Sequence, residues 1–222
     1  MPRYDAILFD LDGTLVDHDS AAHQAAASLI RQYGLAGNEN ALIERWFIIE
    51  HEEFSRFERG EISHAQQRLN RMSRFFDTPL SDDESRQRFE VFASAYRAHW
   101  RAYPDAAAAL TAAEQSGAQV AIMTNGARDM QAGKLAATGL ESASIRLIPT
   151  AELSCAKPNP QAYHEALALM GVRPERAVMI GDNYINDVQA ARAAGLHAAH
   201  LSDPAKLLEL LHTEVLVACE GA

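Results

Sequence analysis

The stretch YDAILFDLDGTLVD, residues 4–17, sets an apolar run directly against two acids, Asp10 and Asp12, followed at once by Gly13 and Thr14. Carboxylates beside a buried strand are costly unless a cation or hydrogen-bond donors offset them. The offsetting groups must come from elsewhere in the chain.

Working outward, the pattern changes twice. From Ser20 to about Trp100 it reads as helix only. SAAHQAAASLIRQYG ends on Gly34, ENALIERWFIIEHEEFSRFERG ends on Gly60, and a third segment opens at Ser63. Ser63 with Gln66, and Ser81 with Glu84, have the capping-box form that satisfies the orphan amides of a helix start. From Pro104 onward, short apolar runs such as QVAIMT and AVMIGD alternate with helical segments. That alternation predicts an α/β fold with a parallel, doubly wound sheet. The expected organisation is a core of residues 1–17 and 101–222, interrupted by an all-helical unit over 18–100. No internal repeat or Gly/Ser-rich linker marks another boundary.

Four polar clusters fall where strands of such a core are expected to end. They are Asp10 to Thr14; Thr124-Asn125-Gly126 after VAIM; Lys157-Pro158 after LSCA; and Gly181-Asp182 with Asp187 after AVMI. Ligands of doubly wound sheets bind outside the carboxyl ends of the strands, so the four share one rim. On an extended chain, residues i and i+2 project to the same side, which pairs Asp10 with Asp12. One can act as nucleophile while the other protonates a leaving group. Asp182 completes an all-oxygen set suited to a hard cation such as Mg²⁺. Thr124, Asn125 and Gly126 precede a helix expected from about Ala127, whose N-terminus suits a phosphate. Lys157 adds a point charge against phosphoryl oxygens. Each cluster alone reads more readily as a turn or a solvated loop than as a site; their ordered conjunction points to chemistry.

Composition narrows the partners. The 222 residues are 48% hydrophobic with a net charge of −10, enough for one sizeable core and unfavourable for nucleic acid, whose backbone is held by clustered Lys and Arg. Arginine outnumbers lysine 17 to 3, the lysines being Lys134, Lys157 and Lys206. Cys155 and Cys219 have no metal-ligand spacing, which predicts free thiols in a reduced compartment. There is no HExxH pattern for zinc, no signal-peptide pattern and no apolar window long enough for a bilayer, so a cytoplasmic location is expected.

At these same residues the sequence resembles the haloacid dehalogenase-like (HAD) hydrolase superfamily, specifically its phosphatases. Asp10-Leu11-Asp12-Gly13-Thr14 is similar to the first motif, Thr124 to the second, Lys157 to the third, and Gly181-Asp182 through Asp187 to the fourth. The resemblance implies a Rossmann-like core with a helical cap inserted after the first strand. It also implies roles. Asp10 would attack phosphorus to give an aspartyl-phosphate; Asp12 would protonate the leaving group and then activate water. Asp10, the backbone carbonyl of Asp12, and Asp182 would hold Mg²⁺. Asp187 would support the metal or Lys157, and Thr14 would orient the loop.

The resemblance leaves other activities to weigh. Haloacid dehalogenases of the superfamily lack the second acid and the metal, and Asp12 argues against that chemistry. Phosphonate-cleaving members and phosphosugar mutases rely on a cap lysine, and residues 1–133 contain no lysine. A catalytically silent phosphate-binding protein on the same fold is the alternative of another class. Substrate choice would lie in the insert, where His18, Trp46, His51, Arg56 and Arg59 are candidate contacts against a competing reading as helix packing or solvated faces. The Thr124-Asn125-Gly126 form with GKLAATGL after it leans toward nucleoside monophosphates and acyl-sugar phosphates, with phosphoglycolate and other sugar phosphates open. The expected partner is a small phosphorylated metabolite, with the protein a monomer or homodimer.

Overall fold

A computed structural model describes residues 2–217. Five strands, β1 (Ala6–Phe9), β2 (Gln119–Thr124), β3 (Ile145–Pro149), β4 (Ala177–Gly181) and β5 (His197–His200), form one parallel sheet in the order β3-β2-β1-β4-β5. The register sets Phe9 beside Ile122 on one side and Ile180 on the other. The strand read first in the sequence is therefore the central one.

Strand parity explains why the runs are apolar throughout. Ile7, Phe9, Val120, Ile122, Val178 and Ile180 pack on one face, against Ala109, Leu110 and Ala113 of α5 (Ala106–Gln115) and Leu135 of α6 (Arg128–Thr138). Ala6, Leu8, Ala121, Met123 and Met179 pack on the other, against Ala162, Tyr163, Ala166 and Leu167 of α7 (Pro160–Met170) and against Ala190 and Ala191. Parallel strands covered on both faces need apolar side chains at every position. Small alanines on the covering helices let them lie close to the sheet.

The described chain divides into two compact units, one up to Asp17 and from Arg101 onward, the other His18–Trp100. Within the first unit the two ends flanking the insertion meet. Asp17 N donates to the Arg101 carbonyl at 3.0 Å, Tyr103 N to the Leu15 carbonyl at 2.9 Å, and Val16 bridges Ala102 in antiparallel sense.

The second unit is helical: α1 (His18–Tyr33), α2 (Glu39–Glu58), α3 (His64–Phe75) and α4 (Asp82–Ala98). Ser81 and Glu84 make the full reciprocal capping box, whereas Ser63 accepts from Gln66 N at 3.1 Å while the Gln66 amide turns to Asn70. Trp46 is buried between the rings of Phe75 and Phe92, at 5.2 and 4.3 Å between centroids. Beside it lies the buried guanidinium of Arg71, 4.5 Å above the Trp46 ring and paired with Glu50.

Two expectations change. LSCA (153–156) is not a strand; the strand preceding Lys157 is Ile145–Pro149, and a short 3₁₀ turn, Thr150–Glu152, separates the two. The IRLI run supplies the branched residues that suit a pleated surface, which Leu-Ser-Cys-Ala lacks. Second, β1 ends at Phe9, so the extended-chain period does not carry through to Asp12. Cys155 is a free thiol, and Cys219 lies outside the described residues.

Candidate active site

The sheet delivers its polar residues at the strand ends, as topology requires. Asp10 follows β1 directly and its amide donates to the Ile180 carbonyl at 2.8 Å. Thr124 closes β2, and Gly181 closes β4 immediately before Asp182. Asp187 sits on the π-helical stretch Tyr184–Gln189 that leads into the next helix.

Lys157 knits these ends together. Its ammonium donates to Asp10 Oδ1 at 2.6 Å, to Asp187 Oδ1 at 2.7 Å and to the Met123 carbonyl at 3.1 Å. Its main chain is held in turn by Asn125, whose Nδ2 donates to the Lys157 carbonyl at 2.8 Å and whose Oδ1 accepts from Lys157 N at 3.0 Å. Thr150 Oγ1 donates to the same Oδ1 at 2.7 Å. The Asn125 side chain thus fixes the lysine-bearing loop, and the Lys157-Pro158 peptide in that loop is cis.

On the other flank, Thr14 and Asp182 bond reciprocally. Thr14 Oγ1 donates to Asp182 Oδ1 at 3.0 Å, and Asp182 N donates to Thr14 Oγ1 at 3.1 Å. Gly13 makes this approach possible. It has φ +85°, and a Cβ there would lie under 3.0 Å from the Asp182 carboxylate. His200 Nε2 donates to the Asp182 carbonyl at 2.9 Å, holding that residue from β5.

Asp10, Asp182 and Asp187 each bring one carboxylate oxygen within 4.8 Å of the others. Three carboxylates against one ammonium leave two formal negative charges in a mostly buried space. The cost appears in the titration of each acid. Burial, with the Asp187 and Asp12 charges, pushes Asp10 up to about 7 although Lys157 opposes the shift. Burial and the Asp10 charge push Asp182 up to about 6, and burial raises Asp187 against the pull of Lys157. Burial alone would lower Lys157, but the Asp10 and Asp187 carboxylates outweigh it and raise it. An all-oxygen, net negative cluster of this kind fits a hard divalent cation, which would offset the excess charge.

Asp12 stands apart from that cluster. Its carboxylate is met by two residues outside the sequence-derived set, Lys134 Nζ at 2.5 Å on Oδ1 and Gln131 Nε2 at 3.0 Å on Oδ2. Both sit on α6, three residues apart and therefore on one face. That spacing, and the rarity of lysine in this chain, were signals available in the sequence. Arg56 and Arg59 are committed within the helical unit to Glu53 and Glu61, and His18 Nδ1 lies 2.7 Å from Tyr96 Oη.

Known proteins resemble this chain in sequence and in fold. The haloacid dehalogenase-like hydrolase family matches residues 4–195. A phosphoserine phosphatase of Thermus thermophilus is 39% identical over 102 residues, 46% of this chain and 41% of its own length, so the chain spans less than half of that relative. A glyceraldehyde 3-phosphate phosphatase of Methanopyrus kandleri is 28% identical over 196 residues, covering 86% of this chain and 81% of the relative. Among solved structures, the HAD-hydrolase YfnB of Bacillus subtilis, bound to magnesium, shares the fold with a TM-score of 0.81 at 21% identity, over 95% of this chain and 98% of that one. The chain belongs to the haloacid dehalogenase-like hydrolase family.

Proposed function

We propose that this enzyme is a Mg²⁺-dependent phosphomonoesterase that hydrolyses small phosphorylated metabolites, of the nucleoside monophosphate or sugar phosphate class, through an aspartyl-phosphate on Asp10. The observation that carries this reading is the division of labour among the acids: one carboxylate cluster around Lys157, and a second acid, Asp12, held separately on Lys134 and Gln131. The relatives named above act on small phosphomonoesters, which supports that substrate class. No helix among the described residues is long and apolar enough to cross a membrane, in keeping with a cytoplasmic enzyme.

In this mechanism an Asp10 carboxylate oxygen forms a bond to phosphorus as the ester P–O bond breaks, and the departing oxygen takes a proton from Asp12. Water then gives a proton to Asp12 as its oxygen bonds to phosphorus. The bond from phosphorus to Asp10 breaks, releasing inorganic phosphate and restoring the carboxylate. Lys157, 2.6 Å from Asp10, offsets charge on the transferring group throughout. Thr124 and the Asn125-Gly126 turn hold the phosphoryl oxygens. Asp10 and Asp182, with the Asp12 backbone carbonyl and Asp187 beside them, would hold the cation. Mg²⁺ bound there supplies charge compensation to the carboxylates and the phosphoryl oxygens.

Hydrolysis of p-nitrophenyl phosphate by the purified protein tests this directly. Turnover is expected with Mg²⁺, and is lost both with EDTA and in Asp10→Asn. Equal rates in all three reactions would overturn the proposal. A panel of nucleoside monophosphates and sugar phosphates then ranks substrates by kcat/KM.

A further inference from the structure

Two of the chain's three lysines are buried to 2% exposure, each against an acid of the first strand's exit, in a protein that otherwise uses arginine. Lys157 holds Asp10 and Asp187. Lys134 sits 2.5 Å from Asp12 Oδ1, and Gln131, one turn earlier on α6, donates from Nε2 to Asp12 Oδ2 at 3.0 Å and to Thr124 Oγ1 at 2.6 Å.

A carboxylate only accepts hydrogen bonds, so the orientation of the Gln131 amide follows from its partners. One Nε2 hydrogen serves Asp12, the other Thr124. Thr124 Oγ1 therefore accepts, and the Gly126 amide also faces it at 3.4 Å, which leaves its single hydrogen to donate elsewhere. Asp12 is gripped at both oxygens by groups from one helix face, which fixes the plane of the carboxylate. Gly126 is fitted to the same arrangement. A Cβ there would lie under 3.0 Å from Gln131 Nε2, Cδ and Cγ.

We propose that Lys134 and Gln131 are positioning residues for the reaction, aiming the Asp12 carboxylate at the proton it transfers and, through Gln131, turning the Thr124 hydroxyl into a donor toward the phosphoryl group. The inference rests on the phosphatase reading above. It makes a specific kinetic demand. With p-nitrophenyl phosphate the leaving nitrophenolate departs without a proton, so formation of the aspartyl-phosphate needs Asp12 little. Its hydrolysis needs Asp12 fully, because water must give up a proton as it bonds to phosphorus and the bond to Asp10 breaks. With glycerol 2-phosphate both halves need Asp12.

Rapid-mixing kinetics with Mg²⁺ on wild type, Lys134→Met, Lys134→Arg and Gln131→Met, with thermal unfolding midpoints for each, separates the outcomes. In Lys134→Met the p-nitrophenolate burst keeps its amplitude and, to within about threefold, its rate, while steady-state kcat falls about 100-fold, the cost of misplacing a reacting group. Single turnover of glycerol 2-phosphate falls by a similar factor. Lys134→Arg restores a substantial part of the steady-state rate, and Gln131→Met raises KM as well as lowering kcat. Steady-state rates within about twofold of wild type in both Lys134→Met and Gln131→Met would overturn the positioning role. So would a burst amplitude that falls in proportion with kcat alongside a lowered unfolding midpoint, since that is loss of folded sites. Wild-type protein without Mg²⁺-dependent turnover would instead overturn the phosphatase reading and this inference with it.

Discussion

Asp10 in the α/β unit and Glu53 in the helical unit are both buried, at 8% and 1% exposure, yet the protein treats them in opposite ways. Glu53 accepts from Arg74 Nη1 at 2.9 Å, Asn70 Nδ2 at 2.8 Å and Arg56 Nη1 at 3.1 Å. Burial would raise it, but the Asn70 and Arg74 hydrogen bonds and the Arg56 charge win and leave it lowered. Asp10 has one ammonium, shared with Asp187, and is pushed up to about 7. The helical unit supplies its buried acid with as much positive charge as it needs, and the acid serves structure. The α/β unit leaves its acids short of positive charge. Such a deficit is relieved by a bound cation or by protons, the pattern of a site rather than of a scaffold.

Exchanging the acids for their amides tests that contrast most severely. Asp10→Asn is expected to lower kcat on p-nitrophenyl phosphate by at least about 10⁴-fold, as loss of a nucleophile does. In metal-free buffer at pH 8 it should leave urea stability equal or higher, because Lys157 retains Asp187 and one unfavourable charge is gone. A marked loss of stability would mean that Asp10 is a structural acid like Glu53. Glu50→Gln is the opposite experiment. It removes the only carboxylate paired directly with the Arg71 guanidinium among the described residues, a group 3% exposed and already lowered by burial. The expected loss is about 3–5 kcal/mol in urea unfolding.

Adding the missing charge is the next way to sharpen the comparison. Mg²⁺ at about 100 times its Kd should stabilise wild type by about 2.7 kcal/mol, with slowed hydrogen exchange in β1 and β4, and Asp182→Ala should lose the increment. A gain that survives in Asp182→Ala would place the cation elsewhere.

The response to pH is the most diagnostic in sign. Without a cation, burial and neighbouring charge push Asp10 up to about 7 and Asp182 up to about 6 in the folded protein, from the ordinary 3.8 of an aspartate. The folded α/β unit therefore binds more protons than the unfolded chain between those values and gains stability as pH falls from 8 toward 5. His64 in the helical unit is pushed down to about 4 from 6.5, first by burial and then by Arg68 and Arg71. The folded state there binds fewer protons than the unfolded between 6.5 and 4, so that unit loses stability as pH falls through the same window. Each slope is at most about 1.4 kcal/mol per pH unit per proton. Residue-resolved hydrogen exchange, corrected for intrinsic rates, should show β1 and α3 moving in opposite directions; parallel slopes would break the contrast.

Much of this was legible in the sequence because it is local. QVAIMT and AVMIG are strands because branched and apolar residues fill both faces; the first two helices end just before Gly34 and Gly60, and Ser81 caps as its spacing with Glu84 requires. Asp10, Lys157, Asp182 and Asp187 lie together because parallel strands all end on one side. What stayed hidden is tertiary. Gln131 and Lys134 share a helix face in any reading of α6, but only the packing of Leu135 beneath the sheet turns that face toward Asp12. The two acids of the opening stretch look like a pair in sequence. In space they are claimed by different lysines, because the strand ends at Phe9, ahead of both.

The short antiparallel closure at Val16 and Ala102 has a consequence of another kind. The flanks of residues 18–100 are stitched to each other by main-chain bonds whose partners all belong to the α/β unit, so the path of the sheet does not depend on how much chain runs between them. Lengthening a connection whose ends are already fixed costs little loop entropy. For a lineage of such proteins, this splice point works as an exchangeable cassette. The tract between Asp17 and Arg101 can be extended, pruned or replaced over evolutionary time while the five-stranded sheet keeps its own path.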